Sequence, residues 1–173
     1  MFPNEDDIPA TLLYKDPIHN LAVLQLNNRP KVKHKQLTYS KNSYVLRSEN
    51  VYTIGYPWAN TMEDKHVLIK GSTSLSRKLD LIPITMPLNG VNSGGPLFNS
   101  NNELVGMVLF EKHAVDYYEL ERSKIYDYAI PVSTLIMVIK KLKLKKEPQN
   151  LKTSSKELFV ESRIKNVVLI EAY

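Results

Sequence analysis

The sequence predicts an all-β domain finished by one C-terminal helix, and three observations carry that expectation. Its apolar runs are short, β-branched or aromatic, and separated by Asn, Gly, Ser and Pro, the pattern of an antiparallel sandwich or barrel. A single segment, after Pro131, repeats apolar residues at helical spacing. A length of 173 residues suits one compact domain, and with no Cys that domain must hold itself together by a packed core rather than by disulfides.

Taken in order, strands are expected near Ala10 to Tyr14, Ala22 to Leu26, Asn50 to Gly55, Lys65 to Ser74, Ile82 to Thr85, Pro96 to Asn99, Leu104 to Phe110 and Tyr126 to Pro131. Asn27 to Ser48, polar and basic, reads as a crossing between two sub-structures and as the main internal boundary. Asn99 to Asn102 reads as a turn, because Asn and Ser side chains bond nearby backbone and Asn tolerates positive φ. That turn makes Leu97 to Phe110 a hairpin. After Pro131, Ser133 or Thr134 is the expected N-cap, and Leu135, Val138, Ile139 and Leu142 share one face. Lys140, Lys141, Lys143, Lys145 and Lys146 crowd the far end, where they complement the helix dipole. Glu147 to Lys156 reads as linker. Leu158 to Ser162 and Val167 to Ala172 read as two strands or as fragments of something absent.

The apolar share of 43% with 24% charged residues is that of a folded chain, not a disordered one. The net charge of +5 sits largely in Lys31 to Lys35 and Lys140 to Lys146, without aromatic interleaving or a nucleic-acid-binding motif, so no nucleic-acid partner is expected. No apolar run reaches bilayer length, and Met1 to Asp7 lacks the apolar core of a secretory signal. A soluble protein of unknown compartment follows, with no membrane partner. No cluster of metal-ligating residues and no phosphate-cradling glycine loop is visible, so no metal and no cofactor are expected.

The strongest local signal is Asn89-Gly90-Val91-Asn92-Ser93-Gly94-Gly95-Pro96-Leu97, followed by Leu104-Val105-Gly106-Met107-Val108. A serine among glycines in a tight loop presents its hydroxyl while neighbouring N–H groups converge, and such donors are worth about 10²- to 10³-fold each in acyl transfer. On its own the string also spells an ordinary loop. Its context is more specific. The string resembles the Gly-Asn-Ser-Gly-Gly-Pro-Leu motif of trypsin-like serine proteases. Val51-Tyr52-Thr53-Ile54-Gly55-Tyr56-Pro57, Gly71-Ser72-Thr73-Ser74, Tyr128-Ala129-Ile130-Pro131 and Asp16-Pro17-Ile18-His19-Asn20-Leu21-Ala22-Val23-Leu24 resemble, in the same order, four further segments of the HtrA/Deg branch.

The resemblance implies a chymotrypsin-like double β-barrel with an incomplete first barrel, a complete second barrel and a C-terminal helix. Residues 1–47 would be the remnant of the first barrel with the crossing, 48–146 the second barrel and helix, and 147–173 linker and tail. It places Ser93 at the nucleophile, and the N–H groups of Val91 and Ser93 at the oxyanion hole. Leu109 and Tyr128 fall on the walls of the substrate pocket, which points to small or medium apolar side chains before the cut. Glu111 to Lys124 replaces a shorter family loop.

Three departures stand beside these matches. The family has glycine where this chain has Val91, whose branched side chain disfavours positive φ. Asn20 occupies the place of the triad aspartate, and the same swap in a comparable triad costs about 10⁴ in turnover. The general-base histidine lies upstream of that aspartate in the family, and Met1 begins too late to contain it. Of His19, His34, His66 and His113, none matches the base; His19 adjoins Asn20, but neighbours on a strand point to opposite faces. The expectation is a protease-like domain nearly inert as this chain. A non-catalytic peptide- or protein-binding module, and a fragment completed by another chain or an oligomer, stay open beside it. The partner expected throughout is a peptide or unfolded protein, as substrate or ligand.

Overall fold

A computed structural model describes residues 8–31, 37–40, 48–55, 66–74, 81–88, 92–109 and 127–143. Among these described residues, eight strands and one helix follow in order: β1 (Ala10–Asp16), β2 (Leu21–Leu26), β3 (Asn50–Gly55), β4 (Val67–Thr73), β5 (Ile82–Thr85), β6 (Pro96–Asn99), β7 (Leu104–Leu109), β8 (Asp127–Pro131) and α1 (Val132–Lys141). Strands β1 and β2 form a hairpin, while the other six close into a barrel in the order β3-β4-β5-β8-β7-β6. Every strand pair is antiparallel, and the ring shuts where Val51, Tyr52 and Thr53 of β3 meet Asn99, Phe98 and Leu97 of β6. This is the expected architecture: a complete barrel, a two-stranded piece of a second one and a terminal helix.

The barrel closes around Val51, Ile82, Ile84, Leu97, Val105, Val108 and Ala129, all buried. Strand β3 is buried at every position after Asn50 because both of its faces are covered. On the outside, Tyr52, Ile54 and Phe98 pack beneath Leu37, Leu68 and Leu104. The rings of Tyr52 and Phe98 lie 5.5 Å apart, within the range where aromatic pairs attract beyond their buried area. Part of the crossing segment forms that cover: Leu104 N–H donates to Thr38 and its carbonyl accepts from Ser40 N–H, both at 2.9 Å.

A second cluster joins the hairpin and the helix to the barrel. Leu21 of β2, Leu81, Leu109 of β7, Ile130 of β8 and Val138 of α1 are buried together, with Tyr14, Val23, Leu135 and Leu142 against them. Of the expected apolar face of the helix, Leu135, Val138 and Leu142 therefore dock here.

The expected turn between β6 and β7 is built as its composition implied. Asn99 Oδ1 accepts from the N–H groups of Asn101 and Glu103, Asn102 holds φ 63, and its side chain accepts a 2.6 Å bond from Tyr52 OH. The helix start differs from expectation. Gly106 pairs with Pro131, which keeps Pro131 extended at φ −62 and ψ 148, so helical geometry begins at Val132, ahead of Ser133 and Thr134. Pro131 becomes the N-cap and no side chain caps the helix. The lysine-rich end is as expected for Lys140 and Lys141. Lys145, Lys146, the linker Glu147 to Lys156, the strands Leu158 to Ser162 and Val167 to Ala172, and the excursion Glu111 to Lys124 lie outside the described residues.

Close approach of β7 and β8 needs a glycine at position 106, where a Cβ would sit 2.5 Å from the carbonyl oxygen of Ile130. Both atoms are held by strand pairing, so neither yields cheaply. Gly106→Ala is expected to lower stability by about 2 to 4 kcal/mol, as strain at a fixed backbone contact does. Ser133→Ala, at an exposed site that caps nothing, stays within about 0.5 kcal/mol of the parent chain. Urea melts of the two variants check both.

Candidate functional site

Two stretches bring the singled-out residues into the fold: the bend 92–95 that enters β6, and the turn 17–20 that joins β1 to β2. Gly94 holds φ 86, a left-handed conformation that costs glycine nothing. Its N–H donates to the Val108 carbonyl at 2.8 Å, and Val108 N–H donates to the Gly95 carbonyl at 2.8 Å. Gly95 N–H in turn donates to the Asn92 carbonyl at 3.1 Å. Two backbone bonds thus lock the bend onto β7, a third closes the bend on itself, and Ser93 sits half-buried at its tip.

The inner side of the bend is close-packed. Asn92 is buried, and its amide nitrogen lies 3.1 Å from where a Cβ on Gly55 would stand. A Cβ on Gly95 would lie 3.1 Å from Thr53 Oγ1 and 3.0 Å from the Asn92 carbonyl. Glycines at 55 and 95 are what let the bend settle on the end of β3. Val91, the other expected oxyanion donor, lies outside the described residues, as do His34 and His113.

At the second stretch, the backbone corrects the orientation argument made for His19. His19 and Asn20 stand in a turn, not on a strand, so the alternation of strand faces does not apply to them. The turn is organised by Asp16, a residue to which the family resemblance gives no role. Asp16 Oδ1 accepts from the N–H groups of Ile18, at 3.0 Å, and His19, at 3.2 Å, while Oδ2 lies 3.0 Å from His19 Nδ1. The sequence did carry a cue: Asp-Pro initiates turns, and Asp bonds backbone two residues on.

Asn20 closes the turn with φ 52. Asn is among the few residues that take this left-handed conformation readily, so the amide has a backbone reason to be there. Asp tolerates the same conformation, so Asn20→Asp is compatible with the turn.

Leu109 and Tyr128 are cross-strand partners on β7 and β8. Leu109 is buried in the cluster shared with Leu21 and α1, and Tyr128 packs against that cluster. Leu21 follows Asn20 directly, and Leu109 follows Val108, which holds the Ser93 bend. Strand β7 is thus the common neighbour of both stretches. His66 is exposed just before β4. Among the described residues no group of His, Cys, Asp and Glu has the arrangement of a metal site. No helix among them is long and apolar enough to cross a membrane.

The bonds from His19, led by that of its side chain, hold the Asp16 carboxyl below its ordinary 3.8, with burial acting the other way. A carboxyl depressed on folding adds stability above its unfolded value and loses it as pH falls through the folded one. Between about pH 6 and about pH 3 the parent chain should therefore lose more stability than Asp16→Asn, which has no carboxyl to protonate. Urea midpoints at the two pH values measure the difference; equal losses would remove Asp16 from the account.

Residues 1–107 match the family model described as trypsin-like peptidase domain. Solved structures with this fold include an inactive serine-to-alanine form of Rv3671c from M. tuberculosis H37Rv, at 15% identity and TM-score 0.58, covering 80% of this chain and 66% of that one. They also include Deg5, at 19% identity and TM-score 0.57 over 75% of this chain and 58% of that one. The serine endoprotease from Yersinia pestis is 25% identical with TM-score 0.57, covering 77% of this chain and 43% of that one. At such identities the first two show the fold alone. This chain spans between 43% and 66% of the length of these three. A search of curated proteins finds no match.

Proposed function

The chain belongs to the trypsin-like peptidase domain family, and from that premise we propose that it is a serine-endopeptidase-type domain of the HtrA/Deg-like branch that does not turn over peptides by itself. Ser93 takes the nucleophile's place, and the N–H groups of Ser93 and Val91 take those of the oxyanion hole. The observation that carries this assignment is the Ser93 bend, locked to β7 by backbone bonds on both sides of Gly94 and Gly95.

The reaction such a site performs is acyl transfer. The serine oxygen attacks the peptide carbonyl, a base takes its proton, and the ester formed is hydrolysed. Without a base the hydroxyl stays protonated and weakly nucleophilic. The proposal of inactivity does not depend on where a base would come from. Asn20, at the place of the family carboxylate, offers an amide to any imidazole brought beside Ser93. An amide does not stabilise the imidazolium, and turnover falls by about 10⁴ even with the base present. Removing the base as well costs on the order of 10⁶. The partners proposed are peptides or unfolded proteins, with β7 and β8 around Leu109 and Tyr128 shaping the wall that meets the side chain before the cut.

Asn20 also favours a second reading, a peptide-binding module that keeps the barrel and has given up catalysis. A third, completion of the site by another chain or within an oligomer, would supply the base from outside.

Labelling with a fluorophosphonate probe separates these readings. The chain is expected to label no faster than Ser93→Ala, alone and after mixing with candidate peptides. Clear Ser93-dependent labelling of the isolated chain overturns the inactive assignment. Retention on a peptide array without cleavage favours the binding module, and labelling that appears only with a second protein favours completion.

A further inference from the structure

Strand β3 sends Val51, Thr53 and Gly55 to the inside of the barrel, because alternate residues of a strand share a face and Val51 belongs to the barrel core. Val51 packs there, and Gly55 makes way for the Ser93 bend. Thr53 is the exception: it is 1% exposed, and among the described residues its Oγ1 has no hydrogen-bond partner. A buried hydroxyl left unsatisfied lowers the folding equilibrium on the order of ten- to a hundredfold. Valine has nearly the same shape and carries no such penalty. A threonine at this place therefore points to something for its hydroxyl to bind.

The hydroxyl lies under the bend. Where a Cβ on Gly95 would project, Thr53 Oγ1 stands 3.1 Å away, the Asn92 carbonyl 3.0 Å and the Ile54 carbonyl 3.4 Å, so that side is full. The side of Gly55 is different: among the described residues only the Asn92 amide nitrogen, at 3.1 Å, comes within 4 Å of its Cβ position, chain neighbours apart. Thr53 and Gly55 are two residues apart on one face, about 6.6 Å along the strand. An oxygen seated over Gly55 is then within hydrogen-bond reach of both the Thr53 hydroxyl and the Asn92 amide. Every described group on this corner is neutral, a hydroxyl, an amide and carbonyls, so the ligand that fits is a water molecule; an ion would bring a buried charge without compensation.

We propose that one buried water binds over Gly55, bridging Thr53 Oγ1 and the Asn92 side-chain amide, and that through it Thr53 positions the Ser93 bend. Buried waters make about three bonds, and the Thr53 hydroxyl both donates and accepts while the amide donates. The Asn92 carbonyl accepts from Gly95 N–H and has a second lone pair to offer. Backbone bonds tie the bend to β7 on one side, and the water ties it to β3 on the other. Thr53 is thus a positioning residue, acting on the bend from inside the barrel. The site depends on the packing of the bend alone and holds whether or not Ser93 reacts.

Thr53→Val keeps the shape and removes the hydroxyl, Thr53→Ser keeps the hydroxyl, and Gly55→Ala fills the corner from the opposite side. Magnetic relaxation dispersion of the water oxygen nucleus counts long-lived waters in the full chain and does not register protein hydroxyls. The parent and Thr53→Ser are expected to hold one long-lived water more than Thr53→Val and Gly55→Ala. In Thr53→Val the Gly94 and Gly95 amides are expected to exchange about fivefold faster relative to those of Val105 and Ile130, the effect of about one net hydrogen bond, and Thr53→Ser restores the parent rates. Protection of Val105 and Ile130 shows in each variant that the barrel is folded. An equal water count in the parent and in either Thr53→Val or Gly55→Ala overturns the proposal, and a higher urea midpoint for Thr53→Val would then mark Thr53 as a bare buried hydroxyl. Loss of the water with unchanged exchange at Gly94 and Gly95 overturns the positioning of the bend, and so does a Thr53→Ser chain that fails to restore it.

Discussion

Val108 exchanges backbone hydrogen bonds with both glycines of the Ser93 bend, giving its N–H to Gly95 and accepting from Gly94. The next residue, Leu109, turns its side chain to the cluster that seats Leu21, Ile130 and Val138. One strand thus fixes the bend by its backbone and the hairpin turn by its side chain. The position of Ser93 relative to Asn20 is set by β7 more than by any contact between the two stretches. Barrel closure is the condition for this, because β7 is held in place by its pairing with β6 on one side and β8 on the other. Gly106 in its middle leaves no room for a Cβ, which would stand 2.5 Å from the carbonyl oxygen of Ile130.

The chemistry of the site follows from that frame together with two local choices. Glycines at 55 and 95 let the bend pack onto the end of β3, so the serine stands on the barrel and not on a free loop. At the hairpin turn Asp16 spends its carboxylate on the turn itself, bonding two backbone N–H groups and His19. On the proposed reading, the neighbouring Asn20 stands where the family carboxylate would serve catalysis, and the fold keeps the scaffold of acyl transfer without the charges that drive it.

Much of this was legible in the residues. Strands β3, β5 and β6 begin and end where Asn50, Gly55, Ile82, Thr85, Pro96 and Asn99 place them, because Asn, Gly and Pro interrupt short β-branched runs. The Asn-rich turn after β6 was readable from the same chemistry. The helix start was not, since Ser133 is a good N-cap by type and only the pairing of Pro131 with Gly106 disqualifies it. The role of Asp16 was missed because His19 and Asn20 read as the start of a strand; a turn there depends on three bonds to one carboxylate. That β7 joins both halves of the site was beyond sequence reasoning, since it arises from sheet order and not from any local pattern.

The most direct measurement is residue-resolved amide exchange by NMR at Gly94 and Val108. If the Ser93 bend belongs to the barrel, these amides exchange only as fast as those of Val105 and Ile130, through opening of the whole barrel. Exchange at the rates of an exposed loop, with the barrel amides still protected, would contradict the account.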